Sequence, residues 1–70
     1  MSIPDIIEVG NVIAQLQRGE TLPPHNVDHA LTGNWAGFRD CHIRPDLVLI
    51  YRVFDDQLQL ARVGSHSDLF

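Results

Sequence analysis

The N-terminal segment carries apolar residues at the spacing of an amphipathic helix. Positions three or four apart would line one face, with polar side chains pointing away, and this apolar set is Ile6, Val9, Ile13 and Leu16. Ser2 followed by Asp5 resembles a capping box, and Gly19 is a natural stop. The pattern therefore predicts an opening helix that buries one face.

The helical spacing is lost between Thr21 and Asn34. Prolines, a glycine and several polar residues interrupt this stretch, and such residues favour turns and irregular backbone. We expect an irregular connection here, which would carry His25, His29 and Trp35 toward the strands that follow.

After Gly37 the hydrophobic period changes to two, which is typical of β-strands. Phe38, Asp40 and His42 would point to one face of a first strand, opposite to the residues between them. Arg44-Pro45-Asp46 would end this strand, because proline interrupts pairing.

Two further strands are predicted beyond that break. Leu47–Phe54 is rich in apolar and β-branched residues and is predicted as the central strand, nearly buried on both faces. After a turn at Asp55-Asp56, alternation resumes over Gln57–Val63. A helix followed by a three-stranded antiparallel meander is an α+β arrangement, and we expect a single domain over residues 1–70.

Composition places the chain among folded proteins. Hydrophobic residues make up 44% and charged residues 20%, which is ordinary for a globular domain. No apolar run approaches the roughly 20 residues that span a membrane, and no secretory signal is visible at the N-terminus. Because Cys41 is the sole cysteine, no intramolecular disulfide can form, so we expect a cytoplasmic protein without membrane contact.

The net charge argues against general nucleic-acid binding. Five arginines oppose nine Asp and Glu residues and give a formal charge of −4, whereas proteins that bind many phosphates are usually basic. Most of the arginines nevertheless fall among the predicted strands: Arg39, Arg44, Arg52 and Arg62. A local positive patch is therefore compatible with the negative total.

Four histidines in a chain without lysine are the strongest chemical signal. Imidazole gives and takes protons near neutral pH and also binds metals, so the pattern predicts acid–base chemistry or a metal site. His25 and His29 have the four-residue spacing of zinc ligands on a helix, but the prolines before them oppose a helix there. His25 has no motif around it and is predicted to be structural or exposed.

Several short motifs follow one another along the chain: Asp28-His29, Gly33-Asn34-Trp35, Gly37-Phe38-Arg39-Asp40, His42, Pro45-Asp46, Ile50-Tyr51, Gly64-Ser65-His66 and Leu69-Phe70. Their order and spacing resemble the YafQ branch of the RelE/ParE toxin superfamily. The resemblance implies a RelE-like (microbial-RNase-like) fold. It also implies a type II toxin–antitoxin mRNA interferase, an endoribonuclease that cuts mRNA on the ribosome and is silenced by a DinJ-like ribbon-helix-helix antitoxin.

The resemblance also implies which residues form the site. The family's catalytic positions correspond to His29, His42, Asp46 and His66. We expect His66 to act as general acid and His29 to orient or stabilise the phosphate, while either Asp46 or His42 takes the 2′-OH proton. Phe70 would stack on a base. Apart from the resemblance, the guanidinium groups of Arg44 and Arg62 are expected to bind substrate phosphate. Neither a metal nor another cofactor is expected.

The chain also departs from the family pattern. Family members usually have a strand and a helix before the segment that begins here, they are usually basic, and Leu47 stands where close members carry tryptophan. The expected fold is therefore RelE-like but short at its N-terminus, with an uncovered sheet edge or apolar face that favours self-association. The alternative function is a catalytically inactive, truncated toxin-like module that binds an antitoxin or itself.

Overall fold

The computed structural model describes residues 1–70 and consists of a helix on one face of a four-stranded antiparallel sheet. In chain order the elements are α1 (Ile3–Gln17), β1 (His29–Ala30), β2 (Arg39–Arg44), β3 (Leu47–Phe54), β4 (Gln57–Gly64) and α2 (His66–Leu69), with short 3₁₀ turns at Pro24–Asn26 and Gly33–Trp35. The strands lie side by side in sequence order. Neither α-helix has the length and apolar character that a membrane crossing demands. The predicted α+β class and helix-plus-meander architecture are confirmed.

The sheet has one strand more than the three predicted. β1 pairs with β2 through His29 opposite Asp40 and Ala30 opposite Arg39. It lies in the stretch expected to be irregular. Two residues are too few to display a period of two, so only the pairing with β2 defines this strand.

Local signals set both ends of α1. The Ser2 hydroxyl accepts a hydrogen bond from the Asp5 N–H at 3.2 Å, in agreement with the predicted cap. Beyond Gln17 the chain turns through Gly19, whose φ of 72° lies in the left-handed region that glycine adopts at little cost. The predicted start and stop signals of this helix are confirmed.

The buried face of α1 begins later than predicted. Val12 is buried in the core, and Val9, Ile13 and Leu16 pack partly against it. Ile6, expected on the buried face, is instead 55% exposed. The reason is that the core cluster meets the helix only from Val9 onward.

β3 is covered on both sides along most of its length. Leu47–Tyr51 are buried without a break. Because side chains alternate along a strand, Leu47, Leu49 and Tyr51 face α1 and join the core. Val48 and Ile50 face the opposite side of the sheet, which we call the outer face. The predicted central strand is thus buried on both faces as far as Tyr51, whereas Val53 and Phe54 at its end are exposed.

The C-terminal helix lies on the outer face. Gly64 of β4 pairs with Val48, and directly paired residues point to the same side of a sheet. A Cβ built on Gly64 would contact the Leu69 side chain at 3.6 Å. Leu69 therefore packs α2 on the side of Val48, opposite to α1.

Candidate functional site

Two rows of paired residues cross the outer face. The first row is His29, Asp40, Ile50 and Arg62, one from each strand. The second row is His42, Val48 and Gly64. Since residues paired across strands share a side of the sheet, the polar members of both rows lie on the outer face. Strand pairing thereby brings together groups that are far apart in sequence.

His29 contacts a buried carboxylate in the first row. Its Nδ1 atom lies 2.9 Å from Asp40 Oδ1 and 2.9 Å from the Val27 carbonyl oxygen. The Asp40 side chain is 2% exposed, whereas that of His29 is 50% exposed. The imidazole is therefore anchored at one nitrogen while much of its ring remains accessible.

This arrangement selects one tautomer of His29. Both neighbours of Nδ1 are acceptors, so this nitrogen carries the hydrogen, which is aligned with the Val27 carbonyl. Nε2 of the neutral ring then remains free to accept a proton. Asp40 Oδ1 is left as a buried carboxylate oxygen without an aligned hydrogen-bond donor. Unpaired buried oxygens are rare in folded proteins, and a catalytic role is one of the explanations for them.

His66 and Phe70 meet at the C-terminal helix. Their ring centroids are 4.9 Å apart, and the ring planes are tilted by 38°. Because Leu69 packs α2 against Gly64 on the outer face, His66 lies next to the end of the row that begins at His42. The predicted acid and the predicted aromatic residue thus contact each other on the side of the sheet that carries His29.

His42 and Asp46 lie at the hairpin end of the outer face. His42 is half-buried in β2, and its backbone carbonyl accepts a hydrogen bond from the side-chain amide of buried Asn26 at 2.7 Å. Asp46 is exposed in the turn that joins Arg44 to Leu47. Of the four predicted catalytic residues, two share the outer face, His66 adjoins it, and Asp46 occupies the adjacent turn.

Carboxylates engage three of the five arginines. The ion pairs are Arg18–Glu20 at 2.6 Å, Arg39–Asp28 at 3.0 Å and Arg44–Asp5 at 3.2 Å. Arg44, predicted to bind substrate, therefore has a competing anion on α1. Arg62, the other predicted phosphate ligand, is exposed and donates only to the Ala61 carbonyl at 3.1 Å. No carboxylate pairs with its charge.

Asp40 is a site residue that sequence reasoning did not single out. Two signals in the sequence could have identified Asp40. It alternates with Phe38 and His42 on one face of the predicted strand, and a carboxylate within a buried strand is unusual. Adjacent Cys41 points the other way into the core. Burial raises the pKa of the Cys41 thiol to about 12, so this sulfur remains protonated and is not a nucleophile.

The His25–His29 spacing does not create a metal site. His25 lies in a 3₁₀ turn that ends at left-handed Val27, so a helical face joining the two histidines is absent. No three His, Cys, Asp or Glu side chains lie close enough to share an ion. His25 instead lines a depression of about 400 Å³ together with His42. A residue predicted to be merely structural or exposed is thus a neighbour of a predicted site residue.

Comparison with known proteins identifies one family. A family model described as the bacterial toxin of type II toxin–antitoxin systems, YafQ, matches residues 2–70. The mRNA interferase toxin YafQ of Escherichia coli is 47% identical over 49 residues, which cover 70% of this chain and 53% of that protein. The putative toxin YafQ of Haemophilus influenzae is 52% identical over 50 residues, covering 66% and 49%. The chain spans about half the length of the curated relatives it matches.

Solved structures share the fold. A copper-bound mutant toxin from Helicobacter pylori has a TM-score of 0.85 and 52% identity, covering 90% of this chain and 72% of that one. The Escherichia coli DinJ–YafQ complex has a TM-score of 0.84 and 36% identity, covering 94% and 74%. The helix-on-sheet arrangement therefore recurs in proteins of substantial sequence similarity.

Proposed function

Because the chain belongs to the YafQ family of bacterial type II toxins, we propose that it is an mRNA interferase, an endoribonuclease that cuts mRNA on the ribosome and so inhibits translation. The similar Escherichia coli protein is named an mRNA interferase toxin. The observation that carries the proposal is the accessible His29 ring, whose Nδ1 is held by the Val27 carbonyl and lies 2.9 Å from the buried Asp40 carboxylate. A ring held at one nitrogen is oriented to exchange a proton or meet a phosphate with the other.

The proposed reaction needs a base, an acid and stabilisation of the phosphate. When a base removes the 2′-OH proton, the 2′ oxygen attacks the adjacent phosphorus, the bond to the 5′ oxygen breaks, and an acid protonates that oxygen. We assign the acid role to His66 and the base role to Asp46 or His42, with His29 orienting or stabilising the phosphate. The free Nε2 of His29 makes it a third candidate for the base.

Substrate binding is assigned to three further residues. Arg62 offers an unpaired cation in the His29–Asp40 row. Phe70 lies against His66, and this contact supports its proposed role of stacking on a base beside the reacting phosphate. Arg44 becomes available when a substrate phosphate displaces Asp5 from it. The Arg44–Asp5 ion pair permits this exchange, because exposed ion pairs are weak.

The proposed partners follow from the similar complexes and from the chemistry. A DinJ-like ribbon-helix-helix antitoxin is proposed because the Escherichia coli relative was solved in a DinJ–YafQ complex. The ribosome and mRNA are proposed as the other partners, which places the activity in the cytoplasm. Self-association is proposed through the apolar side chains that β4 leaves exposed, Leu60 and Val63.

The second candidate function is a catalytically inactive toxin-like module that binds an antitoxin or itself. The formal charge of −4 favours this candidate, because binding to RNA phosphates depends on positive charge. The ion pairs of Arg39 and Arg44 with carboxylates favour it too, because they leave fewer free cations for phosphate. The two candidates differ in whether RNA is cut, so a cleavage assay separates them.

The test is cleavage of mRNA on purified ribosomes, read by primer extension. We expect the wild-type chain to cut, and His66→Ala to slow cleavage roughly 10²- to 10⁴-fold because a positioned general acid is lost. Gln17→Ala, at the exposed end of α1, is the control and should cut like wild type.

Three outcomes decide the matter. Cleavage that is lost in His66→Ala but kept in Gln17→Ala supports the interferase. Cleavage that survives His66→Ala overturns the assignment of that residue. Absence of cleavage by the wild-type chain, together with tight binding of a DinJ-type antitoxin, overturns the enzyme and supports the inactive module.

A further inference from the structure

An arginine is held between two aromatic rings on the outer face. The guanidinium carbon of Arg52 lies 4.9 Å from the ring centroid of Phe38 and 5.0 Å from that of Phe54. Trp35 extends the series, since its ring meets Phe38 edge-on with centroids 5.4 Å apart. Gln59 on β4 accepts a hydrogen bond from Arg52 Nε at 2.6 Å. We call Phe38, Arg52 and Phe54 the aromatic platform.

The charge of Arg52 has no partner within the protein. Its single side-chain hydrogen bond is the one to neutral Gln59, and none of the four ion pairs includes it. The terminal nitrogens are therefore unengaged, although the stacked rings and Gln59 fix the plane of the guanidinium. A guanidinium that is held in one orientation and has no carboxylate partner is suited to bind an anion from outside the protein.

The aromatic platform adjoins the row that carries His29 and Asp40. Phe38 directly precedes β2 and is two residues before Asp40, while Arg52 in β3 is two residues after Ile50. Because side chains alternate with a period of two, Phe38 and Arg52 lie on the same side as Asp40 and Ile50, the outer face. Arg62 lies in the first row and is also free of carboxylates. Strand pairing thus assigns the two unpaired arginines of the chain to the same side of the sheet.

We infer that the aromatic platform binds single-stranded RNA next to the cleavage site, with a base stacked on Phe54 and a flanking phosphate held by Arg52. This inference rests on the proposed function, since it extends the RNA path away from the reacting phosphate. Phe54 is 58% exposed, so a ring surface remains available beyond its contact with Arg52.

Aromatic rings combined with unpaired arginines match the chemistry of single-stranded nucleic acid. Bases stack on aromatic side chains, and arginine adds both phosphate binding and cation–π contact. Protein interfaces also use aromatic rings and arginines, but the platform adjoins the histidine row to which the proposed function assigns RNA cleavage. RNA uses both features at once.

The test measures binding of a short fluorescent 2′-O-methyl RNA oligonucleotide, which cannot be cut because its 2′ oxygen is blocked. We expect Phe54→Ala to weaken binding roughly 5- to 150-fold, the range for loss of one stacked base. Val53→Ala is the matched control, because Val53 is exposed to a similar degree, 64% against 58%, but points to the other face of β3. Phe54→Trp should keep or improve the wild-type affinity.

Salt dependence separates binding from a merely structural stack. Arg52→Gln should reduce the slope of log affinity against log salt concentration by about 0.7, the value for one phosphate contact on a single strand. Arg52→Lys should retain that slope. Circular dichroism of each variant checks that the fold is intact.

The outcomes separate this inference from the proposed function. Equal affinity of Phe54→Ala and Val53→Ala, or no binding of RNA by the wild-type chain, overturns the inference even if mRNA is cleaved. A loss confined to Phe54→Ala with an unchanged salt slope in Arg52→Gln overturns the phosphate contact. RNA binding that depends on Phe54 in a chain that cuts no mRNA supports the inference and overturns the enzyme.

Discussion

At the scale of single residues, Asp28 shows how one carboxylate ties the chain to the sheet beside the site. Both of its oxygens accept from the Tyr51 hydroxyl at 2.8 Å, and Oδ1 also accepts from Arg39 Nε at 3.0 Å. Burial, followed by the Asp28 contact, raises the pKa of Tyr51, while the same carboxylate raises the pKa of Arg39. These bonds fix the backbone immediately before His29.

The buried thiol gives a prediction about pH. Because the folded-state pKa of Cys41 is raised from 9.0 to about 12, its contribution to folding is fully present below about pH 9 and is lost as the pH rises toward the folded value. We expect the free energy of unfolding, measured in urea, to decrease as the pH rises above about 9. The decrease should be less steep in Cys41→Ala. A thiol that reacts with Ellman's reagent in the folded protein as fast as in urea would contradict the burial.

At the scale of elements, the start of α1 is linked to the hairpin of the site. Asp5 donates its N–H to the Ser2 cap, and its carboxylate accepts from Arg44 Nε at 3.2 Å at the end of β2. The hydrogen bond with Ser2 and then that with Arg44 lower the pKa of Asp5. One short segment thus caps the helix and attaches it to the strand that carries His42.

The cap gives a prediction about stability. Ser2→Ala should lower the free energy of unfolding by about 1 kcal/mol, since an N-terminal N–H loses its acceptor. Thr21→Ala is the control, because Thr21 is exposed and lies outside every helix and strand. Urea denaturation followed by circular dichroism measures both. Equal stability of the two variants would show that the cap contributes nothing.

At the scale of the whole molecule, an apolar groove runs between α1 and the edge strand. Val9 and Ile13 from the helix and Leu49, Leu60 and Val63 from the sheet line a depression of about 160 Å³. β4 is an edge strand, so its outward backbone groups are unpaired and next to apolar side chains. Edges of this kind pair with other chains unless they are covered.

The groove gives a prediction about assembly. We expect the isolated chain to self-associate in sedimentation velocity at micromolar concentration, and Leu60→Gln to shift it toward monomer by removing apolar area at the edge. Val27→Gln changes a side chain of similar exposure, 54% against 51%, far from β4, and should leave association unchanged. A wild-type chain that stays monomeric would rule out this surface as a self-association site.

The sequence by itself determined the features that local chemistry controls. Apolar spacing, the Ser2 cap and Gly19 specify α1. A period of two specifies β2 and β4, and a run of apolar and β-branched residues specifies β3, because each signal acts within a few residues. Their antiparallel order follows from short connections. The alternation of β2 was also sufficient to assign Asp40 and His42 to one face.

Only the tertiary structure decided which groups meet. β1 exists because its two residues pair with β2, and His29 reaches Asp40 through that pairing. Whether an arginine is free or ion-paired depends on carboxylates that are remote in sequence, as Asp5 is from its partner Arg44. No local sequence pattern indicates such a pair. The candidate site arises from long-range register, since strand pairing joins positions whose separation in sequence carries no periodic signal.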